Sequence, residues 1–502
     1  MSKKQCFIIG IGGTGSKCLE SFVHLSACGL GPDEDTWIGM VDQDESNGNL
    51  RRTRDLIELY DQLYKGLRTS DNNLKTCDLF KTRLLSTENK SWCPIPKATK
   101  QFKEHFSYNL MGDKQQKLFN TLFEEAKRDL TLEVGFRGWP SMGAAIFLSQ
   151  ISSEHTFWKN IFDSIKSVKE GNEVRIFLIA SIFGGTGAAG FPNIARLIRG
   201  KLKEMGSKLS NFYLGGALLL PYFSYPSEDD GERAAMSDAF LENAQGALKY
   251  YCNLMESESL FDSTYLIGWN PLINLNYFEK GGNNQENTPL VPELFSALAA
   301  SKFFQESELQ KGYLISARDD KDKIGWEQFP KVTDDNPGEI RDKMGQLIRF
   351  SFAYLHAYHP YLSEDRIKEI KRQKWYKTFF YKQGIVISDH GVNTVLENLE
   401  EYSKRVLKWI ASISYLIKEL SLVEVEAFSS IPENIGKGMV EIKDPINFDK
   451  DKFMKIIHPL DLPSLPLYKI YSQLQRSRDK SNRLGLGAFC GTLYDLCKVS
   501  KK

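Results

Sequence analysis

The sequence predicts an α/β protein: an N-terminal domain built on a parallel sheet, then a mainly helical C-terminal region. Three observations predict it. Two apolar runs, 5–11 and 174–183, each lead into a glycine cluster and then a helical pattern, giving two strand–loop–helix units. Further apolar runs at 37–41, 212–220 and 263–269 alternate with helical patterns, the rhythm of strands joined by crossover helices. From about residue 336 the apolar spacing is helical almost throughout.

Composition fits a soluble globular chain with room for two or more domains: 502 residues, 41% hydrophobic and 26% charged. A net charge of +1 implies no general polyanion-binding surface, so no nucleic-acid partner is expected. Eight cysteines are scattered at 6, 18, 28, 77, 93, 252, 490 and 497, without a CxxC pair and away from the histidines. Neither a metal site nor a disulfide framework is predicted, and a reducing cytoplasm is the expected location. The start, MSKKQCFIIGIGG, has a basic tip, but its apolar stretch is short and broken by glycines, so it is not read as a signal peptide. No apolar run is long enough to span a membrane.

In chain order, 5–11 reads as a short strand. Gly10-Ile11-Gly12-Gly13-Thr14-Gly15-Ser16-Lys17 follows as a glycine loop, opening a helix through Cys18, Leu19, Phe22 and Val23. Gly10, Gly12 and Gly15 fit the G-x-G-x-x-G spacing of Rossmann dinucleotide folds, and ubiquitin-activating-type enzymes carry a similar loop. A Walker loop is excluded because Ser16 separates Gly15 from Lys17. Strand 37–41 ends in Asp42-Gln43-Asp44. Acids there either hold a ribose hydroxyl, as in a Rossmann enzyme, or form a solvated turn. Residues 47–130 are polar, with short helical patterns and dispersed Lys and Arg, and read as an insertion with a solvated face.

The stretch 133–145 contains Gly135, Arg137, Gly138 and Pro140 and reads as a loop running into a helix. Arg137 either supplies positive charge to a ligand or is a surface arginine. The central segment, Gly184-Gly185-Thr186-Gly187-Ala188-Ala189-Gly190, lies between strand 174–183 and a helix predicted for 191–201 with Ile194, Leu197 and Ile198 on one face. Such a unit makes an anion site: glycines let the backbone approach a phosphate, and the helix presents free N–H groups and the positive end of its dipole. Thr186 adds a hydroxyl. Strand 212–220, helix 236–250, strand 263–269 and helix 289–304 follow. Asn270 ends the last strand, and Glu293 sits in the first turn of the last helix, where an acid suits the dipole.

The Gly184–Gly187 segment resembles the GGGTGTG-type signature of the tubulin/FtsZ family of GTPases, with Phe183 at the first glycine and Ala188 and Ala189 altering the end. The first loop is similar to that family's G-x-G-G-x-G-type loop. From Lys4 to Phe304 the motifs follow the family's order: acidic loop, glycine–proline loop, GGTG loop, strand–asparagine, helix. The resemblance implies a tubulin-like GTP-binding domain over 1–305, possessing an insertion at about 47–130, as in divergent bacterial tubulin-like proteins. Gly12, Gly13, Thr14, Gly15, Ser16, Gly184, Gly185, Thr186 and Gly187 would hold the phosphates. Asp42 and Asp44 would lie near the phosphates and Mg²⁺, and Arg137 and Gly138 beside the terminal phosphate. Asn270 would read the guanine edge, an amide offering both donor and acceptor, with Glu293 accepting from the base; an ordinary turn asparagine and a dipole-stabilising acid are the other readings. GTP/GDP and Mg²⁺ are thus the expected cofactors, and the protein itself is the expected partner, in a head-to-tail filament with slow hydrolysis and an adaptor of unknown identity. Two alternatives stand beside this: a nucleotide-binding scaffold with little hydrolysis, and a Rossmann-type or ubiquitin-activating-like enzyme, which explains the first loop but not the second.

The family's Asn-x-Asp-x-x-Asp catalytic loop has no counterpart after the last of these helices. Residues 313–317 and 324–329 read as a β-hairpin, within a connector at 306–335. Asp334, Asp335 and Glu339 then open a helix over 340–358 and are, by position only, the candidates for catalysis in trans; an acidic N-terminal cap explains them equally. Within 336–502, helices are predicted at 363–381, 393–420, 452–457 and 466–478, with a lone strand at 384–388 and a solvated basic end.

Overall fold

The structure, a computed structural model, describes residues 3–499 apart from 69–76, 88–89, 98–99, 134, 137, 152–154, 207–209, 226–236, 276–277, 280, 310–311, 319–322, 334–337, 418, 431–440, 443–450, 460–463 and 478–484. The strands are β1 (Lys4–Ile11), β2 (Thr36–Val41), β3 (Leu84–Leu85), β4 (Ser91–Trp92), β5 (Glu173–Ser181), β6 (Phe212–Leu219), β7 (Phe223–Ser224), β8 (Ser263–Trp269), β9 (Ile273–Asn274) and β10 (Gly312–Arg318). Eight of them form one sheet in the order β10-β8-β6-β5-β1-β2-β3, with β4 also on β2, and β7 pairs with β9 apart from it. All pairs in the large sheet are parallel. A parallel sheet is covered on both faces, which is why its strands are continuous apolar runs rather than alternating ones.

The longer helices of the N-terminal half are α1 (Gly12–Ala27), α2 (Gly48–Leu67), α3 (Pro140–Gln150), α4 (Thr156–Ser167), α5 (Gly185–Glu204), α6 (Ser237–Ser257) and α7 (Val291–Gln305). Neighbouring residues on a strand point to opposite faces. In β6, Gly215 lies against Phe303 of α7 and Gly216 against Phe191 of α5, so these two helices cover opposite faces of the sheet. The missing side chains let each helix seat a ring directly on the strand. Register then places the site. Ile11 pairs with Val41 on one side and with Ala180 on the other, so the segments leaving β1, β2 and β5 emerge side by side at one edge. There the chain order reverses about β1, the crevice where open α/β sheets bind ligands.

The C-terminal half contributes α8 (Glu339–Ala353), α9 (His390–Tyr415), α10 (Leu467–Arg476) and α11 (Gly485–Leu496). Helix α8 packs on α9 and α11, and both of those pack on α2. Buried His24 of α1 meets Tyr402 and Trp409 of α9, with a 3.1 Å hydrogen bond between His24 Nδ1 and the Tyr402 hydroxyl. Arg349 ties the region together without an acid. Its buried guanidinium donates to the carbonyls of Cys497, Phe453 and Leu465 at 3.1, 3.2 and 2.5 Å, and burial pulls its pKa down to about 10.

Six elements differ from expectation, one being the helix expected over 363–381, which is two short helices, Ile367–Ile370 and Lys374–Phe379, separated by a turn. Residues 47–130 are not wholly an insertion: α2 packs on α1 with Leu56, Ile57, Tyr60 and Leu63 buried, and β3 and β4 extend the sheet. The hairpin is absent. Gly312–Arg318 is the outer strand of the main sheet, parallel to β8, while 324–329 holds a bridge from Ile324 to Leu420 and a short 3₁₀ turn. Alternation identifies a strand but not its partner, and here the partner is distant in sequence. Residues 384–388 are not a strand among the described residues, and 451–455 is a 3₁₀ turn rather than an α-helix. The basic end contains α11, whose Leu486, Phe489, Leu493 and Tyr494 are buried.

Candidate functional site

Helices α1 and α5 both begin inside the glycine segments rather than after them. Helix α1 starts at Gly12 and α5 at Gly185, and neither N-terminus has a side-chain cap or an acid in its first turn. The first-turn N–H groups of both helices therefore lack intrahelical acceptors, and two positive dipole ends converge on one cavity. That cavity is about 400 Å³ and is lined by Gly12, Gly13, Thr14, Asp42, Asp44 and Gly138, with Gly184–Gly187 opposite. Gly12 has φ +76°, and a Cβ on it would lie 3.4 Å from the Gly187 nitrogen, so the two segments face each other across a gap that side chains would fill.

Acidic groups sit at the rim of this cradle. Asp42 and Asp44 are both buried. Thr186 Oγ1 and the Asp44 N–H each donate to Asp42 Oδ1 at 3.3 Å, and Asn47 Nδ2 donates to Asp42 Oδ2 at 3.4 Å. Burial, then the Asp44 charge, pushes the Asp42 pKa up to about 7. Asp44 accepts from Ser46 Oγ at 2.7 Å and from the Gly282 N–H at 2.8 Å. The latter bond, with Asn47 to Gln285 at 2.6 Å, the Asn287 N–H to Asn49 at 2.9 Å and an Arg51–Glu286 ion pair, holds the 281–287 segment over the start of α2. The other end of the cavity is aromatic: Phe183, Phe223, Phe240 and Phe278 line it, with Phe183 and Phe240 4.6 Å apart.

Four expected residues are placed elsewhere. Gly15 is packed away from the cavity, where a Cβ would strike the Gly10 and Ile179 backbones at 2.8 Å. Ser16 turns back to the Gly12 carbonyl at 3.3 Å. Asn270 is exposed and does not line the cavity, because β6 separates β8 from β5. Glu293 is fully buried: its Oε1 takes Lys17 Nζ at 2.5 Å and the Tyr222 hydroxyl at 2.6 Å, and its Oε2 takes the Leu290 N–H at 2.9 Å. It does not line the cavity. Arg137, Asp334 and Asp335 lie outside the described residues. Glu339 is described, and its carboxylate accepts from Thr333 Oγ1 at 2.7 Å and pairs with Lys343 at 3.5 Å. Sequence reasoning missed Lys17, Asn47, Asn49, Gln285 and Asn287 as lining residues. Asn47 alone carried a signal, since an asparagine ahead of a helical pattern suits an N-cap, and it caps α2.

Residues 7–250 match the family described as "Tubulin like". The matched stretch is tubulin-like. The matched stretch holds both glycine segments, Asp42, Asp44 and Gly138, and only the 278–287 wall of the cavity lies beyond it. Among solved structures, the GTPγS-form protofilament of Bacillus thuringiensis serovar israelensis TubZ is 11% identical, covering 60% of this chain and 55% of that one at a TM-score of 0.25. The tail-truncated TubZ of Clostridium botulinum phage c-st is 15% identical, covering 60% and 58% at 0.24. The chain thus spans little more than half the length of these proteins. No curated protein matches it.

Among the described residues the cavity lining is poor in free cations. The described lining carries Asp42, Asp44 and Glu279 against one cation, Lys17, which is already paired with Glu293. Phosphate oxygens set beside two buried carboxylates require a cation between them. Among the described residues no group of three or more His, Cys, Asp or Glu is arranged as a metal cage. Two carboxylates beside a phosphate cradle are the protein's usual share of a magnesium site, since that ion keeps its waters and takes phosphate oxygens. Among the described residues no helix is long and apolar enough to cross a membrane.

Proposed function

We propose that this chain binds a guanine nucleotide with Mg²⁺ at the cavity between α1 and α5 and self-assembles head to tail into filaments. The observation that carries the reading is the convergence of two uncapped helix N-termini on one cradle with buried Asp42 and Asp44 at its rim. The N–H groups of Gly12–Thr14 and Gly185–Gly187 would hold the phosphates, with Thr186 orienting Asp42. Asp42 and Asp44 would hold the metal ion, which neutralises phosphate charge when bound. The aromatic end would receive the base and exclude water from it.

Hydrolysis in trans by Asp334, Asp335 or Glu339 is the less favoured part of the reading, because the Glu339 carboxylate is engaged within its own subunit. That observation favours a nucleotide-binding assembly protein with slow or negligible turnover. The test is to release and identify the nucleotide that copurifies with the protein. A guanine nucleotide is expected. Retained NAD or ATP would move the chain to the Rossmann-type reading.

A further inference from the structure

The C-terminal half carries a second cavity, of about 880 Å³, between the 364–371 and 376–388 segments. It is far from the glycine segments in the chain and shares no lining residue with them. Its floor is apolar: Ile367, Ile385 and buried Ile387 line it, and Val386 and Tyr381 stand 58% and 76% exposed beside it. Its rim is cationic. Lys371, Lys377 and Lys382 all line it, and none of the three is in an ion pair among the described residues; Glu364 is the single acid of the lining. The charge is local. Residues 366–382 contain seven Lys and Arg and one acid, Glu369, in a chain whose net charge is only +1. Glu369 is itself paired with Arg366 at 2.9 Å, and Glu364 is the one lining acid set against the three lysines.

The backbone adds a third feature. The 384–388 stretch is irregular and ends in a turn, where the Asp389 N–H donates to the Val386 carbonyl at 3.0 Å, and it pairs with no strand among the described residues. Among the described residues the N–H groups of Val386, Ile387 and Ser388 have no partner in the protein. An apolar trough, a lysine rim and unpaired donors beside it call for a ligand with apolar side chains, carboxylates and backbone carbonyls.

We propose that this trough is a docking site for an acidic peptide segment of a partner protein, one whose apolar side chains alternate with Asp or Glu. The apolar side chains would seat on Ile385 and Ile387, the carboxylates on the three lysines, and its carbonyls on the free N–H groups. Charge complementarity selects this occupant over a second copy of the basic segment, which would repel it.

The probe is a short fluorescein-labelled peptide of alternating glutamate and leucine, read by fluorescence anisotropy on the full chain. Binding should weaken about tenfold when Lys377→Glu and Lys382→Glu are combined, and should fall with added salt. Val386→Ser should weaken it severalfold at unchanged salt dependence. These side chains are exposed, and thermal melts establish that the variants fold. Affinity unchanged in the double variant overturns the proposal, as does equal binding of a lysine–leucine control peptide. Equal competition by phosphatidylglycerol vesicles or by a single-stranded oligonucleotide also overturns it, since the surface would then be a general anion patch.

Discussion

Asp42 should make the ligand-free protein less stable than it need be. Its carboxyl is buried beside Asp44, and its pKa stands at about 7 against an ordinary 3.8. The native state therefore keeps a proton that the unfolded chain releases. Stability falls as pH rises from about 4 to about 7 and stays low above that, because the folded pKa is raised. A displacement from 3.8 to about 7 corresponds to an upper bound of about 4 kcal/mol at pH 8. Asp42→Asn removes this cost. It recovers less than the bound, because the new amide must place its oxygen toward Thr186 and the Asp44 N–H and its NH₂ against Asn47 Nδ2. A net gain of about 1–2 kcal/mol is expected, or roughly 1–2 °C in Tm for the ligand-free protein at pH 8.

The same substitution should remove the stabilisation conferred by Mg²⁺ and GTP. Differential scanning fluorimetry at pH 6 and pH 8, with and without Mg²⁺–GTP, reads both effects. The parent should show the larger ligand shift at pH 8, since Asp42 must lose its proton to accept a cation. The nucleotide's own terminal phosphate titrates nearby, so the informative quantity is the difference between parent and variant. An Asp42→Asn protein that melts lower than the parent at pH 8 without ligand refutes the electrostatic argument. One that melts higher yet keeps the parental ligand shift refutes the metal role.

Three further outcomes are expected. Gly12→Ala should weaken GTP at least severalfold in a titration, at a stability cost of about 1 kcal/mol, because Gly12 sits at φ +76° facing Gly187. Asn270→Ala should leave GTP affinity unchanged in the same titration, since Asn270 does not line the cavity. Lys17→Met should lower stability by about 3–5 kcal/mol in denaturant melts by leaving Glu293 buried and unpaired, and adding Glu293→Gln should recover part of the loss.

Legibility from sequence followed the range of the interactions involved. The strands β1, β2, β5, β6 and β8 were readable because a doubly covered parallel strand is an unbroken apolar run, a local property. The two glycine segments were readable because close approach to a ligand or a neighbouring backbone leaves only glycine. What escaped depended on partners far along the chain. Gly312–Arg318 has a strand's alternation, but its pairing with β8 follows from where α7 returns the chain. Helix α2 is rich in Arg and Asp and reads as solvated, yet its apolar stripe is buried under α9 and α11. Asn270 and Glu293 were misplaced for the same reason: position along a strand or helix is visible in the sequence, but which neighbour a side chain meets is not. Gly15 matched the spacing of a phosphate loop, and the structure uses it to bring α1 against β5 instead.

Lys17 and Asp42 together bear on how the described lining, with so few free cations, would suit the proposed nucleotide. A lysine just past a glycine loop invites assignment as a phosphate ligand. Here its ammonium is committed, with Glu293 at 2.5 Å and the Thr288 carbonyl at 3.2 Å. A buried pair of this kind adds little net stability, but breaking it is costly, so a ligand is not expected to recruit the lysine. Among the described residues the positive potential would then come from helix ends, which are fixed, and from a bound cation, which is not. Affinity for a nucleotide should consequently depend steeply on Mg²⁺ and on the protonation of Asp42, and removing the metal with a chelator should release the nucleotide without unfolding the domain. A nucleotide that stays bound through chelation would mean that the helix ends alone suffice and that the two carboxylates serve another purpose.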